Sequence, residues 1–142
     1  MKESAGTLIR YNNKFLFCHP SNASWTDFYG PAKGGIDASE SRINAAIRET
    51  KEEIGVDISL NMISNPNDPI EVIYYTKKKE IHKKVYLYLV DIKSLDEIGL
   101  TEEVVPKDQL QLSEVNWAGF MNKAEIEEKG FHRFRSLVNM LS

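Results

Sequence analysis

Three glutamates stand close together in the chain, at Glu49, Glu52 and Glu53. On an α-helix, residues three and four positions apart project to the same side, so these carboxylates would share one face of a single turn. Three like charges there repel one another unless a cation lies between them, and Mg²⁺ prefers oxygen ligands while keeping several waters. The spacing therefore indicates a divalent-metal site, although a run of glutamates is more often a solvated helix face.

A divalent metal at such a face suits one kind of reaction, the cleavage of a pyrophosphate linkage. A catalyst for it must neutralise several phosphate oxygens, position water in line with phosphorus, and stabilise charge on the leaving oxygen. A hydrated Mg²⁺ ion meets all three needs and can supply the nucleophilic water.

The glutamates follow a glycine and an arginine at fixed intervals. Five residues separate Gly34 from Glu40, seven more precede Arg48-Glu49, and the segment ends at Gly55-Val56. Residues 34–56 resemble the Nudix box, which has a glycine, five residues, a glutamate, seven residues, and then Arg-Glu-U-x-Glu-Glu-x-Gly-U, with U a bulky aliphatic residue. Every fixed position matches, and the single departure is Thr50 at an aliphatic position.

The resemblance implies a fold, an activity and a cofactor. The fold belongs to the α/β class. It is the Nudix α/β/α sandwich, in which the box helix packs on a mixed β-sheet. The activity is hydrolysis of a pyrophosphate bond in a nucleoside diphosphate derivative, with Mg²⁺ as cofactor and Mn²⁺ as a substitute. A catalytically silent ligand-sensing Nudix module is the alternative of another class, but such relatives typically lose box glutamates, and all are present here.

The resemblance also assigns roles to the residues of the box. The three glutamates of the helix would be catalytic and would bind the metal, joined by the backbone carbonyl of Lys33. Arg48 would complete the catalytic set by holding the glutamates through ion pairs. Glu40 and Gly35 would support this arrangement without touching the metal.

The general base is left open between two sources, because family members use either a box glutamate or a glutamate from a later loop. Glu52 is the box candidate. Glu97, Glu102 and Glu103 are the loop candidates, and Glu103 is also a candidate metal ligand.

Aromatic residues downstream of the box indicate a substrate. Tyr74 lies eighteen residues beyond Val56, with Tyr75 beside it, and a tyrosine at about this distance is typical of the diadenosine polyphosphate hydrolases of the family. Either ring could stack on a purine, although both are also ordinary strand residues. The ADP-ribose branch places a proline where this chain has Glu71.

Basic residues complete the predicted substrate site. Lys33 and Gly34 would meet the phosphates beside the metal, and Lys84 would meet them from the strand that follows the lysine-rich segment 77–79. A dinucleoside polyphosphate is therefore the predicted substrate. An RNA 5′-pyrophosphohydrolase, a nucleotide-sugar or ADP-ribose hydrolase, and an oxidised nucleoside triphosphate pyrophosphatase stay as alternatives.

The elements that must position these residues follow from periodicity. Apolar residues of the box recur along one arc of a helix predicted over Ser39–Ile54, with Asp37, Ser39 or Ser41 as its cap and Gly55 as its end. Thr50 falls on this buried arc, so its departure from the box concerns packing. Strands are predicted over Ala5–Arg10, Lys14–Cys18, Ile70–Tyr75, Lys84–Ile92 and Val115–Phe120, with a loop over 19–37 and an amphipathic helix in the latter part of Lys123–Leu141.

Composition limits the remaining choices. A chain of 142 residues with 42% hydrophobic residues predicts one domain, residues 1–142, acting as a monomer or a homodimer. A net charge of −3 gives no broad reason to bind a DNA duplex, while capped or triphosphorylated RNA stays open as a partner beside a small nucleotide. Without an apolar leader or a membrane span in the sequence, a cytoplasmic location and no membrane partner are expected. The lone Cys18 is expected to be a buried thiol.

Overall fold

The chain begins with a β-hairpin whose turn is formed by two asparagines. Strands β1 (Lys2–Tyr11) and β2 (Lys14–Pro20) are joined by Asn12 and Asn13, whose φ angles are 52° and 62°. Positive φ at both central residues gives the two-residue turn whose twist matches antiparallel strands, and asparagine tolerates this conformation. The computed structural model describes residues 1–141, and it confirms the predicted strand, turn and strand.

The remaining elements mostly follow the predicted order. They are β3 (Lys33–Gly35), α1 (Arg42–Ile54), β4 (Ile70–Tyr75), β5 (Ile81–Asp91), β6 (Val115–Met121), α2 (Lys123–Lys129) and α3 (His132–Met140). The prediction of an uninterrupted loop over 19–37 was wrong, because β3 lies within it. A strand of three residues, two of them glycine, has no hydrophobic alternation that a sequence pattern could reveal. Among the helices within residues 1–141, none has the length and apolar character needed to cross a membrane.

The sheet is mixed and opens at one end. Its strand order is β4-β5-β1-β2-β6, with β1 and β5 parallel and the other pairs antiparallel. Strand β1 pairs with β2 only next to the hairpin turn, where Arg10 faces Phe15, and with β3 near its start, where Ser4 faces Gly35. Because β3 replaces β2 beside the first half of β1, strands β1 and β2 diverge and leave a cleft between them.

Two buried clusters cover the two faces of this sheet. On one face, Ala45, Ala46 and Ile54 of α1 pack with residues of β1 and β5. On the other face, Phe134 and Leu137 of α3 pack with alternate residues of the same strands. Helices on both faces of a mixed sheet confirm the predicted α/β/α sandwich. The last residue of the predicted domain range, Ser142, lies outside the described residues.

Helix α1 begins and ends at recognisable capping residues. The Ser41 hydroxyl accepts a hydrogen bond from the Asn44 amide at 3.2 Å, and Gly55 has a left-handed φ of 67° while its amide donates to the Lys51 carbonyl. Of the predicted caps, Ser41 is therefore the one used. The helix begins after Ser39, because that residue adopts a φ of 66°, which is not helical.

Candidate active site

A cleft of about 730 Å³ occupies the open end of the sheet. Helix α1 contributes Glu49, Glu52 and Glu53 to its lining, and β3 contributes Lys33 and Gly34. The structure therefore brings the three box glutamates and the glycine segment together in one cavity. The divergence of β1 and β2 makes room for them.

Arg48 connects the start of α1 to the glutamates. Its guanidinium donates to both carboxylate oxygens of Glu40, at 2.8 and 3.0 Å, and to Glu49 and Glu52 at 3.0 and 3.1 Å. It also donates to the Gly35 carbonyl at 2.9 Å. Hydrogen bonds from Arg48, and one from a backbone amide, lower the pKa of Glu40 to about 2. Glu40 is thus a permanent anion that anchors Arg48, and Arg48 in turn orients two box carboxylates.

Glu53 and Glu49 are the two box carboxylates that the protein removes furthest from water. Glu53 accepts a hydrogen bond from the Lys33 amide at 3.3 Å. Burial raises the pKa of Glu53 to about 7, and the neighbouring Glu49 adds to the rise although Lys33 opposes it. Burial also raises the pKa of Glu49, while Arg48 opposes the rise. Two partly buried carboxylates with incomplete compensation favour a bound proton or a bound cation.

The backbone of Gly34 lies directly against Glu49. A Cβ atom on Gly34 would be 2.1 Å from Cδ of Glu49, which is far inside any permitted contact. Only glycine therefore lets the Glu49 carboxylate take this position while Arg48 holds it.

The donor set fits a hard divalent cation in its chemistry. Every candidate ligand at this face is a carboxylate or carbonyl oxygen, which is the type that Mg²⁺ binds. Within residues 1–141, no three acidic, histidine or cysteine side chains already form a cluster that would enclose a metal ion. Glu52 is turned towards Arg48 and is 47% exposed, so a metal bound by all three glutamates would require Glu52 to leave this contact.

An aromatic wall faces the cleft from the other side. Phe28, Tyr74 and Phe131 line it, and the Phe28 and Phe131 rings stack with centroids 5.8 Å apart. Phe28 is 45% exposed and has a left-handed φ of 70°, which is unfavourable for a large residue outside a constrained loop. Sequence patterns missed both phenylalanines, because Phe131 reads as helix core and Phe28 lies in a polar loop. That loop holds three large aromatic residues, Trp25, Phe28 and Tyr29, and their presence was the available signal.

The structure separates the predicted tyrosines. Tyr74 lines the cleft, but its ring is already contacted by Lys83 and Arg133, whose charges lie 5.5 and 4.9 Å from the ring centroid. Burial raises the pKa of Tyr74 to about 12. Tyr75 is half-exposed and is not among the residues of the cleft, because a bulge separates it from Tyr74 and successive strand residues point to opposite faces.

The alternation of side chains along β5 places the predicted lysine, Lys84, outside the cleft. Lys83 lines the cleft, whereas Lys84 points to the opposite face of the sheet and lies 3.7 Å from Glu71 in an ion pair. Lys33 lines the cleft as expected. The lysines that line the cleft are therefore Lys33 and Lys83.

None of the three predicted loop glutamates lines the cleft. Glu97 accepts hydrogen bonds from the Lys93 and Ser94 amides and so caps a 3₁₀ turn. Glu102 is exposed, and Glu103 binds Lys14 at 2.8 Å. Lys14 begins β2 at the hairpin turn, four residues and roughly 13 Å of strand from Cys18, the first β2 residue that lines the cleft, which makes Glu103 unsuitable as a metal ligand.

Glu114 is the loop carboxylate that reaches the cleft. It is exposed, it immediately precedes β6, and its charge contributes to the raised pKa of Glu53. The sequence carried no signal for it, because the loop before β6 is held by backbone hydrogen bonds, such as that from the Gln111 amide to the Glu53 carbonyl at 2.8 Å.

Comparison with known proteins places this site in a family. Residues 2–133 match the model of the NUDIX domain. The bis(5′-nucleosyl)-tetraphosphatase (asymmetrical) of Sus scrofa is 30% identical over 126 residues, which cover 85% of this chain and 80% of the pig protein. The protein of the same name from Rattus norvegicus is 36% identical over 93 residues, covering 63% of this chain and 58% of the rat protein's length.

The fold is shared with solved structures. A binary complex of the C. elegans Ap4A hydrolase has a TM-score of 0.69 at 22% identity, and the match covers 99% of this chain and 95% of that one. The domain match spans nearly the whole chain, and it includes every residue that lines the cleft except Phe134. The chain therefore belongs to the Nudix family and is a Nudix hydrolase.

Proposed function

We propose that residues 1–142 act as a single domain that hydrolyses a dinucleoside polyphosphate at one of its phosphoanhydride bonds, in a reaction that requires Mg²⁺ and tolerates Mn²⁺. One observation carries this proposal. A single cleft contains partly buried carboxylates, two lysines, and a stacked aromatic pair at its other wall. These are the groups needed for a metal, a phosphate chain and a base.

The box residues would hold the metal. Glu49, Glu52 and Glu53, with the Lys33 carbonyl, offer oxygen ligands, and Arg48 fixes the approach of two of them. A bound Mg²⁺ would neutralise charge on the phosphate oxygens and would lower the pKa of a coordinated water. Glu52 is our candidate for the general base, because it is exposed to the cleft and lies near the other carboxylates, and Glu114 is the alternative from a loop.

The substrate class follows from the rest of the cleft and from the relatives. The pig and rat relatives are named for cleaving bis(5′-nucleosyl) tetraphosphates. A cleft of about 730 Å³ is within the range of ligand pockets. Lys33 and Lys83 would face the phosphates, and Phe28 with Phe131 would offer a base a stacking surface.

We assign base stacking to Phe28 rather than to Tyr74, because Lys83, Arg133 and Phe131 already contact the Tyr74 ring. Replacing Phe28 removes an exposed ring, and asparagine tolerates the left-handed backbone at this position. Phe28→Asn should raise KM for diadenosine tetraphosphate by roughly 5- to 100-fold with kcat largely retained, since stacking holds the base equally in ground and transition states.

The experiment is a substrate panel with Mg²⁺ and chromatographic identification of products. It includes diadenosine tetraphosphate, ADP-ribose, a nucleotide sugar, an oxidised nucleoside triphosphate and 5′-triphosphorylated RNA. Tyr75→Ala is the matched control, since Tyr75 is an exposed ring outside the cleft. A tenfold or greater preference in kcat/KM for another substrate class would refute the dinucleotide assignment, and an unchanged KM in Phe28→Asn would refute the stacking role.

A further inference from the structure

Basic residues continue from the cleft along the edge of the sheet. Lys83 of β5 is the register partner of both Lys2 on β1 and Tyr74 on β4. Paired residues of neighbouring strands point to the same face, about 5 Å apart. Because Lys83 and Tyr74 line the cleft, Lys2 lies beside them on the same face, one strand further along.

The ammonium groups on this face are close enough to affect one another. Burial lowers the pKa of Lys83, and the charges of Lys33 and then Lys2 lower it further. Three positive side chains thus converge at the mouth of the cleft. Their mutual repulsion favours an anion placed among them.

The hairpin between β4 and β5 adds three more lysines at its tip. The Thr76 amide donates to the Glu80 carbonyl at 2.8 Å, and Lys79 takes a φ of 64°, so the turn is closed. Lys77, Lys78 and Lys79 are exposed on it. Within the described part of the chain, no ion pair neutralises these three, whereas the nearby Lys84 is paired with Glu71.

We propose that these side chains form one lysine track, composed of Lys33, Lys83, Lys2 and Lys77 to Lys79, which binds a phosphate chain extending beyond the anhydride that is cleaved. The proposal rests on the proposed function, and it specifies the substrate as one with a long polyphosphate chain. The track concentrates positive charge in a protein whose net charge is −3. Affinity should therefore depend on where the lysines lie and on the number of phosphates that reach the hairpin.

The test measures binding of inorganic polyphosphate by calorimetry in EDTA, without turnover. The probes are tripolyphosphate, which is short enough to stay within the cleft, and a linear polyphosphate of about 15 phosphates at low salt. The hairpin variant is Lys77→Ser, Lys78→Ser and Lys79→Asn, with asparagine chosen because position 79 is left-handed. The control variant, Lys93→Ser, Lys107→Ser and Lys123→Ser, removes three exposed lysines elsewhere and makes the same change in formal net charge, from −3 to −6.

The hairpin variant should bind the long chain about tenfold more weakly, since each exposed charge contact contributes a factor of roughly 1.4 to 5. It should bind tripolyphosphate nearly as well as the wild type does, and the control should bind both probes normally. A long chain has more ways to bind than a short one, which raises its affinity for every variant. The effect of the hairpin is therefore measured by comparing the variants on the same probe.

Two outcomes would overturn the lysine track. The first is the same affinity for the long chain in the hairpin and control variants, which would leave either no effect or an effect of total charge alone. The second is equally tight binding of a 5′-hydroxyl oligoribonucleotide of matched charge, which would indicate a surface for nucleic acid backbone. Hydrolysis of diadenosine polyphosphates is measured in parallel with Mg²⁺. If the wild type cleaves none of them and the hairpin effect persists, the proposed function fails and the polyphosphate-binding surface stands.

Discussion

Glu49 occupies its position because two neighbours act on it from opposite sides. Arg48 holds one of its carboxylate oxygens at 3.0 Å, and the backbone of Gly34 lies where any side chain would collide with it. A carboxylate fixed in this way is preorganised, which means that little reorganisation is needed when charge develops in the reaction.

Substitution of Gly34 tests this placement. In Gly34→Ala the new Cβ would lie 2.1 Å from Cδ of Glu49 and must displace the carboxylate. The backbone there is not left-handed, so folding should be little affected. We expect kcat for diadenosine tetraphosphate to fall roughly 10²-fold, as for a misplaced catalytic group, with Tm nearly unchanged.

Gly35→Ala is the control for that variant, because a Cβ on Gly35 meets nothing within 4 Å. Steady-state kinetics and thermal melts of the two variants give the comparison. Equal activity of Gly34→Ala and Gly35→Ala would contradict the view that Gly34 makes room for Glu49.

Residue identities were predictable mainly where the box specifies them, although Lys33 and Tyr74, which lie outside the box, also line the cleft as predicted. The box spacing indicated the glutamates, Arg48 and Gly34, because a helix fixes which side chains share a face. Phe28 and Glu114 could not be predicted, since each reaches the cleft from a loop whose path depends on tertiary contacts. The lysine of β5 that lines the cleft is Lys83 and not the predicted Lys84, because a shift of one position along a strand changes the face to which a side chain points.

At the scale of elements, α1 is attached to β1 by a buried pair of hydroxyls. The Thr50 hydroxyl donates to the Ala46 carbonyl at 2.8 Å and lies 2.7 Å from the Thr7 hydroxyl. Since the Thr50 hydrogen is used on Ala46, Thr7 is the donor of the second bond. Both residues are fully buried, so the Thr7 hydroxyl depends on Thr50 for the oxygen that accepts its hydrogen.

Thr50→Val would restore the aliphatic residue that is usual in the box, and the sequence alone predicts only a modest effect on stability. The structure predicts a larger one. Loss of the acceptor leaves the Thr7 hydroxyl buried without that partner, so we expect the free energy of unfolding to fall by about 1–3 kcal/mol, with kcat retained.

Urea denaturation of Thr50→Val and of the double variant Thr7→Val with Thr50→Val measures this coupling. The double variant should recover much of the lost stability, because replacing both partners by apolar groups is nearly neutral. If the single variant is as stable as the wild type, the hydroxyl pair does not attach the helix to the strand.

Element order was largely predictable, while element boundaries and pairing were less so. Alternation and capping residues revealed the β1–β2 hairpin, α1 and the β4–β5 pair. The three residues of β3 have no pattern, and neither the divergence of β1 from β2 nor the cleft that it opens can be read from periodicity. Both depend on which strand pairs with which, and this is a property of the assembled sheet.

At the scale of the whole molecule, opposite charges are separated across one cleft. Partly buried carboxylates lie on the α1 side, and lysines that form no ion pair within residues 1–141 lie towards the β4–β5 hairpin. This separation suits a substrate that brings both a cation and a phosphate chain, and it predicts that stability depends on pH in the absence of metal.

The direction of this pH dependence follows from Glu53, whose pKa rises from 4.5 to about 7 on folding. Between these values the folded state holds a proton that the unfolded state has lost, so this group's contribution to stability falls as pH rises through that window. Relative to Glu53→Gln, the metal-free wild type should therefore lose stability between about pH 5 and about pH 8. Mg²⁺ should raise the Tm of the wild type more at the higher pH, where it does not compete with a proton.

Thermal melts of the wild type and Glu53→Gln, with and without Mg²⁺, measure these differences. Glu53→Gln serves as the reference that removes the contributions of other titrating groups. If the metal-free wild type and Glu53→Gln differ in Tm by the same amount at about pH 5 and at about pH 8, position 53 does not hold a buried, uncompensated carboxylate.

The central claim is that the box carboxylates bind the metal that the hydrolysis requires, and the most direct measurement is the rate of diadenosine tetraphosphate cleavage as Mg²⁺ is titrated. The wild type should be inactive in EDTA and should reach a saturating rate with Mg²⁺. Glu53→Gln should reduce kcat by roughly 10³-fold, since one preorganised charge contact contributes about 3 to 4 kcal/mol. Glu102→Gln, which changes an exposed carboxylate outside the cleft, should behave as the wild type. Full activity in EDTA, or wild-type kcat in Glu53→Gln, would contradict the account.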